Sequence, residues 1–201
     1  MSHEFKTPLA TLRGTVELML DEGGDMPEEQ RVRFLDNAAR EIDRLERLVT
    51  GLLALARADQ APSDVPVDLQ GVLERVAERH GLTVQGEADA VRGSAVQLEA
   101  VAENLLRNAA EHGGESVGLI AIDEPDTTGF AVQDDGPGIH AANLAQVFDR
   151  FFTTRRGEGG TGLGLALAKA VVLQHGGTID AHSEPGATRF TVRLPRAPSE
   201  A

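Results

Sequence analysis

The 201-residue sequence contains no cysteine, which excludes disulfides and thiolate metal sites. Tryptophan and tyrosine are absent too, and aromatics make up 3% of the chain, too few for a nucleic-acid surface built on base stacking. Positive charge is scarce. The 19 lysines and arginines face 32 aspartates and glutamates, a formal net charge of -13, which repels a phosphate backbone. No nucleic-acid partner is expected. Long apolar runs are lacking: the stretch from Leu48 to Ala56, LVTGLLALA, falls well short of the roughly 18 residues that a membrane span needs. The N-terminus has no signal-peptide pattern. These absences predict a soluble, cytoplasmic chain with no membrane contact of its own. Its length allows one large domain or two small ones.

What is present changes character near residue 60. In the first part Phe5, Leu9, Leu12, Val16 and Met19 form one apolar stripe at helical spacing. The acidic, glycine-bearing break DEGGD follows, and Asp25, Pro27 and Glu28 read as an N-cap, an early-turn proline and a capping-box partner. A second helix repeats Leu35, Ile42, Val49 and Ala56 every seven residues, beside Ala38, Leu45 and Leu52, the mark of a coiled-coil-like seam. Two helices on a short loop make a hairpin, and one hairpin has too little core to stand alone. Residues 1–60 therefore predict a homodimer through a four-helix bundle, with packing on the rest of the same chain as the alternative.

Residues 61–68, APSDVPVD, read as a linker. Residues 69–198 mix periods. Helices are expected over Leu69–His80, Ala95–Glu111 and Leu163–His175. Strands are expected over Leu82–Gln85, Val117–Ile122, Phe130–Gln133, Thr178–His182 and Arg189–Leu194. Antiparallel-looking strands beside helices predict an α/β sandwich with helices on one face. The fold class of the whole is α+β.

Three elements of this second domain carry chemistry. DDGPGI, Asp134–Ile139, and GGTGLGL, Gly159–Leu165, are glycine turns, where backbone amides can come close to a ligand. The second precedes a helix, whose free N–H groups suit a phosphate. Neither a P-loop nor a dinucleotide fingerprint fits: no Lys-Ser or Lys-Thr follows the glycines, and Gly160, Gly162 and Gly164 lack the GxGxxG spacing. The third element is the helix ENLLRNAAEH, in which Asn104 and Asn108 share a face. Neutral asparagine oxygens can complete a magnesium shell made mostly of phosphate and water.

The order of these elements, with VFDRFF between the glycine turns and GATRFTVRLP near the end, resembles the ATP-binding fold that histidine kinases share with gyrase, mismatch-repair and chaperone ATPases. The resemblance implies roles. Asp134 would accept a hydrogen bond from the adenine amino group, Thr188 would support it, and Gly136 and Gly138 would pass under the base. Asn108 would bind Mg2+ with Asn104 assisting. Gly160, Thr161, Gly162, Leu163 and Gly164 would form the hinge of an ATP lid. Phe148 and Phe151 would anchor it, or serve as core, and Arg150 would reach the γ-phosphate. The family carries a lysine and an aromatic where this chain has Glu111 and His112; Arg107, Arg150, Arg155 and Arg156 are the candidates to compensate.

At the start of the chain SHEFKTPLA, Ser2–Ala10, resembles the phosphoacceptor motif of the same kinases. A neutral imidazole is a nucleophile near pH 7. Glu4 beside His3 can hold the ring or take its proton. Pro8 removes one helical hydrogen bond and should bend the helix. Thr7 lies one turn after His3; in the family, a residue there places water for dephosphorylation of the partner. The resemblance implies Mg-ATP as cofactor, autophosphorylation of His3, and transfer to an aspartate on a response-regulator receiver domain. It also implies sensor and membrane segments upstream, with an inner-membrane anchor for the full-length protein. Two alternatives use the same residues. One is a nucleotide-weak, non-catalytic signalling partner. The other is a gyrase- or chaperone-like ATPase, for which Glu103 is the candidate that activates water.

Overall fold

A computed structural model describes residues 2–22, 25–58, 65–112, 114–155 and 160–198, without the side chains of residues 2–4, 22 and 54–58. Two long helices open the chain, α1 (Ser2–Glu22) and α2 (Glu28–Ala58). α1 runs through Pro8, which is buried. The cap of α2 falls two residues later than the sequence pattern places it. The N–H groups of Gln30 and Arg31 both donate to the carbonyl of Pro27, so Pro27, not Asp25, stands at the cap. A proline there loses nothing, because only its carbonyl is needed.

The hairpin leaves much of its apolar surface uncovered. Leu9, Val16 and Leu20 on α1 are exposed, as are Val32, Leu35, Ile42, Val49 and Leu53 on α2.

The second unit is built on a five-stranded sheet in the order β2 (Val84–Gln85), β4 (Val117–Asp123), β5 (Thr127–Asp134), β7 (Ala187–Pro195), β6 (Thr178–Glu184). All pairs are antiparallel except β2 with β4, which run parallel. Part of the expected linker is structured. β1 (Pro66–Val67) pairs with β3 (Val91–Arg92), and Asp68 caps α3 (Leu69–Arg79) by accepting from the Gly71 N–H at 3.0 Å. Alternate residues of β7, Thr188, Phe190, Val192 and Leu194, are buried. With Phe130 and Val132, the three apolar ones, Phe190, Val192 and Leu194, face Leu73, Val76, Leu98, Leu105, Ala168 and Val172 of α3, α4 (Ala95–His112) and α6 (Gly164–Gln174) in one core. The short α5 (Ala141–Leu144) precedes the VFDRFF turn. The result is the expected sandwich, with helices packed on one face of the sheet.

Hairpin and sandwich meet in a second apolar cluster, which shares Leu167 and Ala170 with the edge of the first. Leu48 of α2 and Leu163, just before α6, are buried there with Phe5, Leu45, Leu52, Phe151, Leu167 and Ala170 packed around them. Among the described residues no helix is long and apolar enough to cross a membrane.

Candidate functional site

β5 ends at Asp134, a second aspartate follows at once, and the alternation of the strand sends the two to opposite sides. Asp134 points into the domain and is 5% exposed, whereas Asp135 is exposed and accepts from the Ser116 N–H at 2.9 Å. Asp134 pairs across the sheet with Thr188. Its Oδ1 accepts from the Gly136 N–H at 3.0 Å, which starts the DxGxG turn. Gly138 has φ 83, and a Cβ there would lie 2.6 Å from the Glu184 carbonyl, so only glycine fits. Burial raises the Asp134 pKa above the ordinary carboxylate value. The neighbouring charge of Asp135 also raises it, while the Gly136 N–H and His112 act in the opposite direction. A carboxylate that is hard to ionise in isolation gains from a ligand that donates to it.

Sequence reasoning missed Ser183. Its hydroxyl lies 3.0 Å from the Thr188 hydroxyl and accepts from the Ile139 N–H at 2.7 Å. It thereby ties the glycine turn to the β6–β7 hairpin. No local pattern marks it; only the register that sets Ser183 opposite Thr188 shows it.

The second half of the site lies where α4 crosses the start of α6. Asn104 is buried. Its Nδ2 donates to the Ala100 carbonyl at 2.8 Å, and its Oδ1 accepts from Arg107. The oxygen expected to assist Mg2+ is thus bonded to a guanidinium. Gly164 sits over this pair: a Cβ there would meet Asn104 Oδ1 at 3.1 Å and Arg107 Nη2 at 3.5 Å. Asn108, one turn on, is half-buried. From Asn104 to His112 the helix rises ~12 Å at 1.5 Å per residue, so α4 forms a floor reaching from the α6 end toward Asp134.

The lid base is stitched by backbone bonds. The Phe151 N–H donates to the Gly162 carbonyl at 2.8 Å, and the Gly160 N–H to the Arg155 carbonyl at 3.0 Å. Gly162 has φ 64, and Phe151, the only non-glycine residue with positive φ among those described, has φ 68. Thr161 beside them is half-buried. Arg155 also donates from its side chain to the Glu111 carbonyl, bringing a positive charge to the end of α4. Arg156 lies outside the described residues. Glu111 and Arg150 are exposed. Phe148 belongs to the core, edge-on to Phe190 at 6.1 Å between ring centres, whereas Phe151 joins the cluster against the hairpin.

Glu103 does not face this floor as a free base. Its Oε1 accepts from Arg79 at 2.7 Å and its Oε2 lies 2.7 Å from His80 Nε2. Burial alone would raise its pKa, but His80 and Arg79 together hold it below the ordinary value. His3 and Glu4 fall in the first turn of α1, with side chains outside the described part; Thr7 is exposed on the same helix.

Residues 93–198 match the family model described as Histidine kinase-, DNA gyrase B-, and HSP90-like ATPase. Residues 1–61 match the His Kinase A (phospho-acceptor) domain. The probable sensor histidine kinase TcrY of Mycobacterium tuberculosis is 40% identical over 211 residues, covering 96% of this chain and 44% of that protein. The signal transduction histidine-protein kinase/phosphatase MprB of Mycobacterium ulcerans is 34% identical over 219 residues, covering 98% of this chain and 43% of that protein. The chain thus spans less than half the length of these relatives. The structure of histidine kinase ThkA in complex with response regulator protein TrrA shares the fold, with a TM-score of 0.77 over 100% of this chain and 61% of that one at 21% identity.

Proposed function

Because the chain belongs to the histidine kinase-, DNA gyrase B- and HSP90-like ATPase family and carries a phospho-acceptor hairpin ahead of that fold, we propose that it phosphorylates its own His3 from ATP and passes the phosphate to an aspartate on a response-regulator receiver domain. The observation that carries this reading is the inward-facing Asp134, set between Thr188 and the glycine turn, on a chain that opens with SHEFKTPLA.

Asp134 accepts from the adenine amino group, which selects adenine over guanine, and Thr188 and Ser183 hold the turn under the base. The free amides at the start of α6 meet the phosphates. Asn104 keeps Arg107 beside them, and Arg155 supplies a second guanidinium in place of the family's lysine. Among the described residues no three histidine, cysteine, aspartate or glutamate side chains are grouped so as to hold a metal ion. A Mg2+ would therefore arrive with phosphate and water oxygens, and Asn108 fits as its protein ligand. When bound, it neutralises phosphate charge. His3 attacks the γ-phosphorus in line: the N–P bond forms, the bond to the bridging oxygen breaks, ADP leaves, and Glu4 takes the imidazole proton. Positioning and charge neutralisation do most of the work. Thr7, one turn along, places water for the reverse task of dephosphorylating the regulator.

The exposed stripe supports a homodimer. Ile42, Leu45, Glu46, Val49 and Thr50 line a groove on the outer side of α2, which the hairpin of a second copy would fill. Engagement of Glu103 by Arg79 and His80 weighs against the gyrase-like alternative, which needs a free carboxylate.

The test is incubation with γ-labelled ATP. The label is expected to be lost in acid, to survive alkali, and to be absent from His3→Gln. Asn108→Ala is expected to abolish Mg-dependent nucleotide binding by calorimetry. Label retained in His3→Gln refutes the assignment of the phosphoacceptor.

A further inference from the structure

Gly51 is the only glycine in α2, and the helix continues past it to Ala58. It ends nothing, and glycine weakens a helix interior, so its place needs another explanation. A Cβ on Gly51 would lie 2.9 Å from Leu163 Cδ1 and 3.2 Å from Leu163 Cβ, inside the roughly 3.5–4.0 Å at which carbons pack. Gly14, the glycine inside α1, makes the contrast: a Cβ there would meet nothing within 4 Å.

The residue seated on Gly51 belongs to the proposed phosphate loop. Leu163 lies between Gly162 and Gly164, caps α6, and is 2% exposed. The Phe151–Gly162 bond fixes the turn on one side. On the other, Leu163 shares its cluster with Leu48 and with Phe5, two residues after His3. One apolar joint therefore links the helical turn of the phosphoacceptor to the glycine turn.

We propose that Gly51 is a positioning residue for phosphoryl transfer. Its missing side chain lets Leu163 seat against α2, and the seat sets how far the phosphate loop stands from the hairpin, whichever histidine of a dimer receives the phosphate. The proposal rests on the histidine-kinase reading above. Transfer needs reacting atoms about 3–3.5 Å apart, and a displacement of about 1 Å costs on the order of a hundredfold in rate. A methyl group at Gly51 forces Leu163 back by several tenths of an ångström.

Gly51→Ala, Gly51→Val and the control Gly14→Ala are compared with wild type in the full chain. Single-turnover labelling gives the transfer rate, calorimetry the ATP affinity, and circular dichroism the helix content. Gly51→Ala is expected to label about tenfold more slowly and Gly51→Val more slowly still, with ATP affinity unchanged and helix content equal or higher. Gly14→Ala is expected to label at the wild-type rate. Adding Leu163→Val to Gly51→Ala removes the Cδ1 atom that the methyl meets, and is expected to restore part of the rate. An unchanged or faster rate in Gly51→Ala, while wild type labels His3, overturns the positioning role and leaves the kinase reading intact. A wild type that does not label His3 overturns both.

Discussion

The two halves of the chain treat apolar side chains in opposite ways. In the sandwich, Phe130, Phe190, Leu69, Leu73, Leu98 and Leu105 are sealed from solvent. In the hairpin, Leu48 is the only leucine, isoleucine, valine, phenylalanine or methionine buried among the described residues, and the sandwich helps to bury it. Full burial of one such side chain contributes roughly 1.5–3 kcal/mol. The sandwich thus carries its own stability, while the hairpin depends on what covers it.

Ile42→Asp combined with Val49→Asp should break this contrast most severely. Two carboxylates in the seam of a dimer must be desolvated without partners. Sedimentation should show dimer affinity weakened by at least roughly a hundredfold, and helix content should fall at micromolar concentration. ATP affinity should stay within about twofold, because the nucleotide site lies in the other half.

Asp134→Asn sharpens the contrast from the sandwich side. Burial raises the pKa of this carboxyl. A raised folded-state pKa gives stability that is present below the unfolded value and lost as pH rises through the folded one. As pH rises through the folded value, the buried Asp134 therefore works increasingly against the fold. Asparagine should raise the thermal midpoint of the sandwich at neutral pH, with the gain shrinking as pH falls below the usual carboxylate range, and should at the same time weaken the preference for adenine. Melting curves across pH beside nucleotide titrations check both. A midpoint at pH 7 no higher than wild type would remove the argument from burial.

The smallest effect is expected at the end of α4. Glu111 is exposed, so its repulsion on a polyphosphate ~5 Å away is under about 1 kcal/mol. Glu111→Lys should tighten Mg-ATP about threefold at low salt, and the gain should vanish at high salt. Titration at two ionic strengths decides it.

The same contrast explains what could be read from the sequence. Both hairpin helices and α3, α4 and α6 show as periodic apolar faces, and β4, β5, β6 and β7 as alternation. β1 and β3 hold two residues each, too few to carry a period. β2 lies parallel to β4, a choice fixed by the chain's path rather than by either strand. At the site, DxGxG and the asparagine helix were legible because each is local. The rest depends on residues far apart in sequence that meet in space. Ser183 needs Thr188 and Ile139, and the seat of Leu163 on Gly51 joins two domains. Asn104 shows a subtler limit: its place on the helix face was legible, but its bond to Arg107 depends on a rotamer that spacing does not specify.

β7 is the last strand among the described residues, yet it lies in the interior of the sheet between β5 and β6. During synthesis β4 and β5 can pair as they emerge, but β6 has no neighbour until β7 follows. The β5–β7 ladder joins Thr127 to Pro195, a distant pairing that must close a long loop before any contact rewards it. Hairpin contacts, by contrast, are local, which favours their early formation. A nascent chain therefore offers its bare helical stripe to a neighbour well before it has a nucleotide pocket, so assembly can precede activity. A premature stop within β7 removes the joint between β5 and β6 rather than trimming an edge.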